Sequence, residues 1–183
     1  IKECIDEISK KSKENNSFVY SWNMAENLKF LGKGFVFQNK INVNNSENFK
    51  FLPEEESSKI KPFLSIWNKL TIKAANLIFY YLNSTSKNFK EDDFTSVIFP
   101  FYGKEAYFNF FGKKGFYESQ LLISENKIED FFDEFKFIFK KFQPSISLLS
   151  FKNMRGTQEF LRFEDNKMCI TFDYINNKKN SLF

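Results

Sequence analysis

Lys152 sits in the middle of an otherwise apolar stretch, Ser145 to Met154. A lysine so placed either carries its ammonium out to water at a sheet margin or meets an anion. Cys169 lies between Met168 and Ile170, where a cysteine is ordinarily a small buried hydrophobe and otherwise a thiol facing a ligand. Glu118 and Gln120, two residues apart, share one face of any strand that contains them. They read as ordinary exposed polar groups or as a polar pair in a site. Taken singly, none of these residues names a reaction.

The residues that are missing narrow the chemistry further. The chain has no histidine, which removes Ser-His-Asp and Cys-His nucleophile systems and the usual histidine-bearing zinc and iron sites. Any acid or base must be Asp, Glu, Lys, Tyr or Cys. Two cysteines, Cys4 and Cys169, are too few for a disulfide framework or a four-cysteine metal site and suit a reducing cytoplasm. Gly32-Lys33-Gly34 has no third glycine opening a helix, so it is a strand start and not a dinucleotide fingerprint. Gly112-Lys113-Lys114-Gly115 precedes a strand and reads as a turn, not as an anion-binding helix start.

The elements that must hold these groups follow from periodicity. Ile1, Cys4, Ile5 and Ile8 recur at helical spacing, so a helix runs from Ile1 to about residue 15. Ser17 to Met24 and Gly32 to Phe37 read as paired strands, and Asn42 to Ser58 as a polar connection. Ile60 to Leu82 is apolar without one clean period and is expected to be partly helical. Thr95 to Phe101 and Glu105 to Phe111 read as short strands. Phe116 to Ile123 alternates, with Tyr117, Ser119, Leu121 and Ile123 on one face and Phe116, Glu118, Gln120 and Leu122 on the other.

Ser124 then caps a helix whose apolar positions are Ile128, Phe131, Phe132, Phe135, Ile138, Phe139 and Phe142, with acids at its start, lysines at its end and Pro144 as its stop. In the strand Ser145 to Met154, Lys152 shares a face with Ile146, Leu148 and Ser150. In the strand Lys167 to Tyr174, Lys167, Cys169, Thr171 and Asp173 share one face. The expected class is α+β: an antiparallel sheet with helices packed on one face and a polar surface or cleft on the other.

The chain has 183 residues, one domain by length, and 20% of them are aromatic, 27 being Phe. That filling predicts a globular domain and excludes disordered, collagen-like and disulfide-built classes. Its formal charge is +4, but lysines are spread along the chain and interleaved with acids, so no nucleic-acid partner is indicated. No apolar run is long enough to span a membrane, and no signal peptide is evident. The first and last residues suggest a piece of a longer protein.

In order along the chain stand Tyr20-Ser21-Trp22, Leu31-Gly32-Lys33-Gly34-Phe35-Val36, Gly115-Phe116-Tyr117-Glu118-Ser119-Gln120 with its helix, Ser150-Phe151-Lys152, Leu161-Arg162-Phe163, and Lys167-Met168-Cys169-Ile170-Thr171-Phe172-Asp173. This series resembles the substrate-binding (cap) domain of FAD-linked oxidases of the vanillyl-alcohol-oxidase type, in the subgroup of decaprenylphosphoryl-ribose oxidase and its bacterial relatives. The resemblance covers most of the chain and is specific in its last seventy or so residues. The stretch from Asn42 to Asn88 matches nothing firmly.

The resemblance implies that residues 1–183 are the cap domain of a longer bacterial flavoprotein, inactive alone, whose FAD-binding domain lies outside this sequence. It implies oxidation of a secondary alcohol of a sugar or polyprenyl-phosphoryl sugar by hydride transfer to flavin, with a reductase subunit as a further partner. Lys152 matches the pocket lysine, Gln120 the second pocket glutamine, and Cys169 the cysteine beside the flavin ring. Glu118 departs from the family's first glutamine, which leaves the identity of the bound hydroxyls open, and Lys167 replaces its asparagine, so that two lysines, Lys152 and Lys167, point to a more anionic substrate. Ile60 to Tyr81 is then a lid or lipid-contacting flap, or else an irregular core segment, in a cytoplasmic protein peripheral to the inner face of the membrane. From another class, a non-catalytic peptide- or glycan-binding module or a lone ligand-sensing domain has the same α+β elements.

Overall fold

A computed structural model describes residues 1–14, 17–40, 65–84, 106–156 and 166–176. The expected connection at Asn42 to Ser58 and the strand at Thr95 to Phe101 lie outside the described residues. The elements are α1 (Lys2–Lys11), β1 (Ser17–Asn23), β2 (Gly34–Lys40), α2 (Lys69–Ser84), α3 (Ala106–Asn109), β3 (Phe116–Ile123), α4 (Ile128–Phe142), β4 (Ile146–Met154) and β5 (Lys167–Ile175). The class is α+β, as expected. The five strands form one sheet in the order β2-β1-β4-β5-β3, and every pairing is antiparallel.

Alternation along the strands gives the sheet two unlike faces. Val19, Leu149, Phe151, Met168, Ile170 and Phe172 lie on one face and are buried with Ile8 of α1 and Ile128, Phe132, Phe135 and Phe139 of α4. The Phe132 ring meets Phe151 edge-on at 5.6 Å, and Phe135 meets Phe172 at 5.9 Å. Burying each such side chain stabilises the fold by about 1.5–3 kcal/mol. The stripe read from the sequence is therefore the seam between α4 and the sheet.

Ser124 does not cap α4 with its hydroxyl. Its carbonyl instead accepts the Lys127 N–H at 2.8 Å, closing a 3-10 turn, Glu125–Lys127, before the α-helix begins. At the other end Gln143 is left-handed, with φ 46°, and its N–H bonds to the Phe139 carbonyl at 2.8 Å, so the helix turns off one residue before Pro144.

Two further expectations are corrected. The strand expected at Glu105 to Phe111 is not found over its described part, residues 106–111: α3 occupies Ala106–Asn109. The reason is tertiary, because Tyr107 and Phe111, four residues apart, lie together against Trp67 in a second core built on Ile72, Phe111 and Ile175. Ile146 does not share a face with Lys152 either. A bulge between Ile146 and Leu148 sets Ile146 opposite Tyr174 and Leu148 opposite Asp173, so Ile146 turns into the α4 core. One extra residue in a strand inverts the alternation on its far side.

The apolar stretch from Ile60 resolves over its described part into α2, preceded by Asn68. The Asn68 side-chain oxygen accepts the N–H groups of Leu70 and Thr71 at 2.9 and 3.1 Å, and the Thr71 hydroxyl accepts the Asn68 N–H at 2.9 Å. That reciprocal arrangement fixes where the helix begins. The expectation of helices on one face only is corrected too: α1 and α4 cover one face of the sheet, and α2 and α3 reach the other, where Phe79 of α2 packs on Trp22 at 4.5 Å and Asn76 donates to Glu26 at 2.8 Å.

Candidate functional site

The register of β3, β4 and β5 places the expected site residues on one face, opposite the α4 core. Lys152 of β4 stands directly across from Cys169 of β5 and, on its other side, from Tyr20 of β1. Thr171 is flanked by Ser150 and Gln120, and Asp173 by Leu148 and Glu118. Lys167, two residues before Cys169, shares its face at the end of the strand, paired with Met154. Along β5 this face therefore runs from cationic, through thiol and hydroxyl, to acidic. On β1 and β2 the same face is aromatic, with Tyr20 stacked on Phe37 at 5.1 Å and Trp22 on Phe35 at 6.2 Å.

The five residues differ in exposure. Cys169 is 2% exposed, Lys152 and Lys167 are half-buried, and Glu118 and Gln120 are exposed on the edge strand β3. The Gln120 amide donates to the Glu118 carboxylate, so these two act as a pair. Lys152 forms no ion pair among the described residues, which leaves its ammonium able to take an anion or a polarised oxygen. Cys169 Sγ lies 3.7 Å from the Thr171 hydroxyl. Burial pushes the thiol up, against the opposing pull of Thr171 and of the Lys152 charge. Cys169 is therefore a buried, neutral thiol with almost no surface to offer a ligand, and not a nucleophile.

Asp173 is the residue that sequence reasoning did not single out. It is 1% exposed, its Oδ2 accepts the Tyr107 hydroxyl at 3.0 Å, and its Oδ1 is buried without a hydrogen-bond partner among the described residues. The Ser147 hydroxyl lies 2.9 Å from the Tyr107 hydroxyl and 3.3 Å from the Asp173 carbonyl oxygen, aimed there by the bulge in β4. Burial pushes the Asp173 carboxyl up to about 7; the Tyr107 hydrogen bond opposes this, the Glu118 charge adds to it, and the Lys152 charge opposes it. Burial, and then the charge of Asp173, also holds the Tyr107 hydroxyl well above its ordinary value. The signal in the sequence was an aspartate between Phe172 and Tyr174 on the face of Cys169.

The middle of the polar face is covered, with Ser150, Cys169, Thr171 and Asp173 buried, and its exposed part is the edge at Glu118 and Gln120. A cavity of about 340 Å³ is lined by Trp67, Phe111, Lys113, Lys114 and Ile175 among others. A second, of about 410 Å³, lies between α1 and the start of β2, beside Cys4, Asn23 and Gly34. Neither includes Lys152 or Cys169. Among the described residues no cluster of Cys, Asp and Glu could hold a metal ion, and no helix is long and apolar enough to cross a membrane.

Fold and face together define an α+β domain with an antiparallel sheet that gathers a lysine, a thiol, hydroxyls and carboxylates on one face, most of them buried. No protein-family model, no curated protein and no solved structure matches this chain.

Proposed function

We propose that the chain is the substrate-binding half of a bacterial FAD-dependent oxidoreductase acting on a secondary alcohol of a sugar or polyprenyl-phosphoryl sugar. One observation carries the reading. Residues quoted from three separate segments for the resemblance, Glu118 and Gln120, Lys152, and Lys167 and Cys169, come to one sheet face, with Lys152 directly opposite Cys169. Strand alternation alone could have divided them between the two faces.

The donors on this face suit one edge of a flavin ring and a hydroxylated substrate better than they suit the cofactor's pyrophosphate. Gly112 to Gly115 leads through a 3-10 turn into β3, and Gly34 opens β2, so neither glycine pair begins a phosphate-binding helix. The nucleotide portion belongs to a domain outside this sequence. Bound flavin supplies the hydride acceptor. The chain's own part is to orient: Lys152 holds an anionic or hydroxyl oxygen of the substrate, Glu118 and Gln120 accept and donate to its hydroxyls, Lys167 adds positive charge, and the buried Cys169 backs Lys152 across the β4–β5 pair.

The test is the visible spectrum of the protein purified together with whatever precedes Ile1. The two absorption bands of oxidised flavin, bleached by the alcohol substrate, are expected. A colourless folded protein that takes up no added FAD sinks the reading and leaves a non-catalytic binding module.

A further inference from the structure

Helix α2 is apolar on both sides. Its inner side carries Ile72, Asn76 and Phe79 toward the rest of the fold, with Ile72 and Asn76 buried and Phe79 on Trp22. Leu70, Ala74, Ile78, Tyr81 and Leu82, spaced by four, four, three and one, fall on the opposite side of the helix. On that side Leu70 is 74% exposed, Ile78 61%, and Tyr81 and Leu82 each 69%. A contiguous apolar stripe of this kind on a surface helix marks an interaction face.

The margin of the stripe is basic. Lys73 is exposed on α2 on the same side of the helix as Tyr80, and the exposed Lys33 lies over the Tyr80 ring at 4.4 Å. Lys33 and Lys29 both approach Phe30, at 5.9 and 5.7 Å. None of the three lysines forms an ion pair among the described residues. The helix itself contains no acidic residue, and Glu26, the carboxylate that meets it, is tied to Asn76 on its inner side.

We infer that the outer face of α2 docks on the surface of an anionic phospholipid bilayer. An apolar stripe flanked by lysines is the arrangement that lies in a membrane interface: the aliphatic side chains enter the acyl boundary and the lysine stems reach back to the phosphates. Tyr81 is suited to the boundary itself. A protein partner or a second copy would gain from the same apolar stripe, but the row of lysines without counter-charges favours a surface rich in phosphate. The inference does not depend on the flavin reading, since it uses neither Lys152 nor Cys169.

The test is sedimentation of the chain with vesicles of phosphatidylcholine alone and of phosphatidylcholine mixed with phosphatidylglycerol. Binding to the mixed vesicles is expected to exceed binding to the neutral ones at least about tenfold. The variant Leu70→Gln/Ile78→Gln/Leu82→Gln, with an unchanged circular dichroism spectrum, should lose binding by a similar factor. Lys29→Gln/Lys33→Gln/Lys73→Gln alters exposed side chains only and should abolish the preference for phosphatidylglycerol. Failure to sediment with either vesicle, or binding that both variants leave intact, overturns the inference. So does a chain that ignores vesicles but forms a dimer dissolved by the glutamine substitutions on α2, because the occupant is then a second copy.

Discussion

The Tyr107 hydroxyl donates to Oδ2 of Asp173 at 3.0 Å, and this bond joins the short helix α3 to the polar face of the sheet. It makes the attachment of α3 sensitive to the charge of a single buried carboxyl.

The sign of that sensitivity follows from linkage. Asp173 has an ordinary value of 3.8 and is held at about 7 in the folded chain, so between those values the native state keeps a proton that the unfolded chain has lost. Its contribution to stability is complete below about pH 4, falls as pH rises, and is gone above about pH 7. At about 1.4 kcal/mol per tenfold in proton affinity, the loss is up to about 4 kcal/mol. Urea denaturation at about pH 5 and pH 8 should show the native chain less stable at the higher pH and Asp173→Asn almost indifferent to the change. Equal pH dependence in the two proteins removes Asp173 as the cause.

Helix α4 offers a paired test of the core. Phe132 and Phe135 are each 4% exposed, while Phe137 on the same helix is 63% exposed. Phe132→Ala or Phe135→Ala should cost about 3–5 kcal/mol. Phe137→Ala should stay within about 0.5 kcal/mol of the native chain. Comparable losses at 135 and 137 in chemical denaturation would mean that α4 presents a different face to the sheet.

Gly34 opens β2 against the end of β1. A side chain there would drive its first carbon into the Trp22 carbonyl and the Asn23 backbone, which are not free to move without breaking the β1–β2 ladder. Gly115, by contrast, has φ +67° but open space around it. Gly34→Ala should therefore destabilise by about 3 kcal/mol or more and Gly115→Ala by about 1–2 kcal/mol, the cost of left-handed backbone strain alone. Hydrogen exchange of the β2 amides reads the difference, and intact protection in Gly34→Ala contradicts the pairing.

For the proposed reaction, Lys152→Ala in the protein carrying its flavin domain should lower substrate turnover at least about tenfold, about 1.4 kcal/mol of transition-state stabilisation. Flavin content should not change, because Lys152 is placed to hold substrate and not the nucleotide. Native turnover in that variant takes Lys152 out of the site.

Where the sequence was legible, one periodic signal dominated. The stripe Ile128 to Phe142 defined α4, and strict alternation placed Glu118 with Gln120 and Lys167 with Cys169 before any pairing was known. Where it was not, a non-local contact decided. The aromatic run around Tyr107 has no period of its own and takes its helical form from Trp67 and Phe111. The bulge at Ser147 is invisible to an alternation count, which puts Ile146 on the wrong face. The burial of Asp173 is invisible in the sequence because it depends on Tyr107, whose segment reads as a strand. The beginning of α2 could have been read: Asn68 followed three residues later by Thr71 is a polar capping pair.

The central seam of the sheet joins strands far apart in the sequence. The Phe151 N–H donates to the Ser21 hydroxyl across 130 residues of sequence, in the seam where β1 pairs with β4. Such a closure is slow, because the loop entropy must be met before the contact gives anything back. During synthesis β1 and β2 leave the ribosome long before β4 exists, with Val19 and its neighbours still lacking the α4 core that will cover them. Folding of this domain is therefore late and cooperative, and the β1–β2 hairpin is the part of it that waits longest without its core.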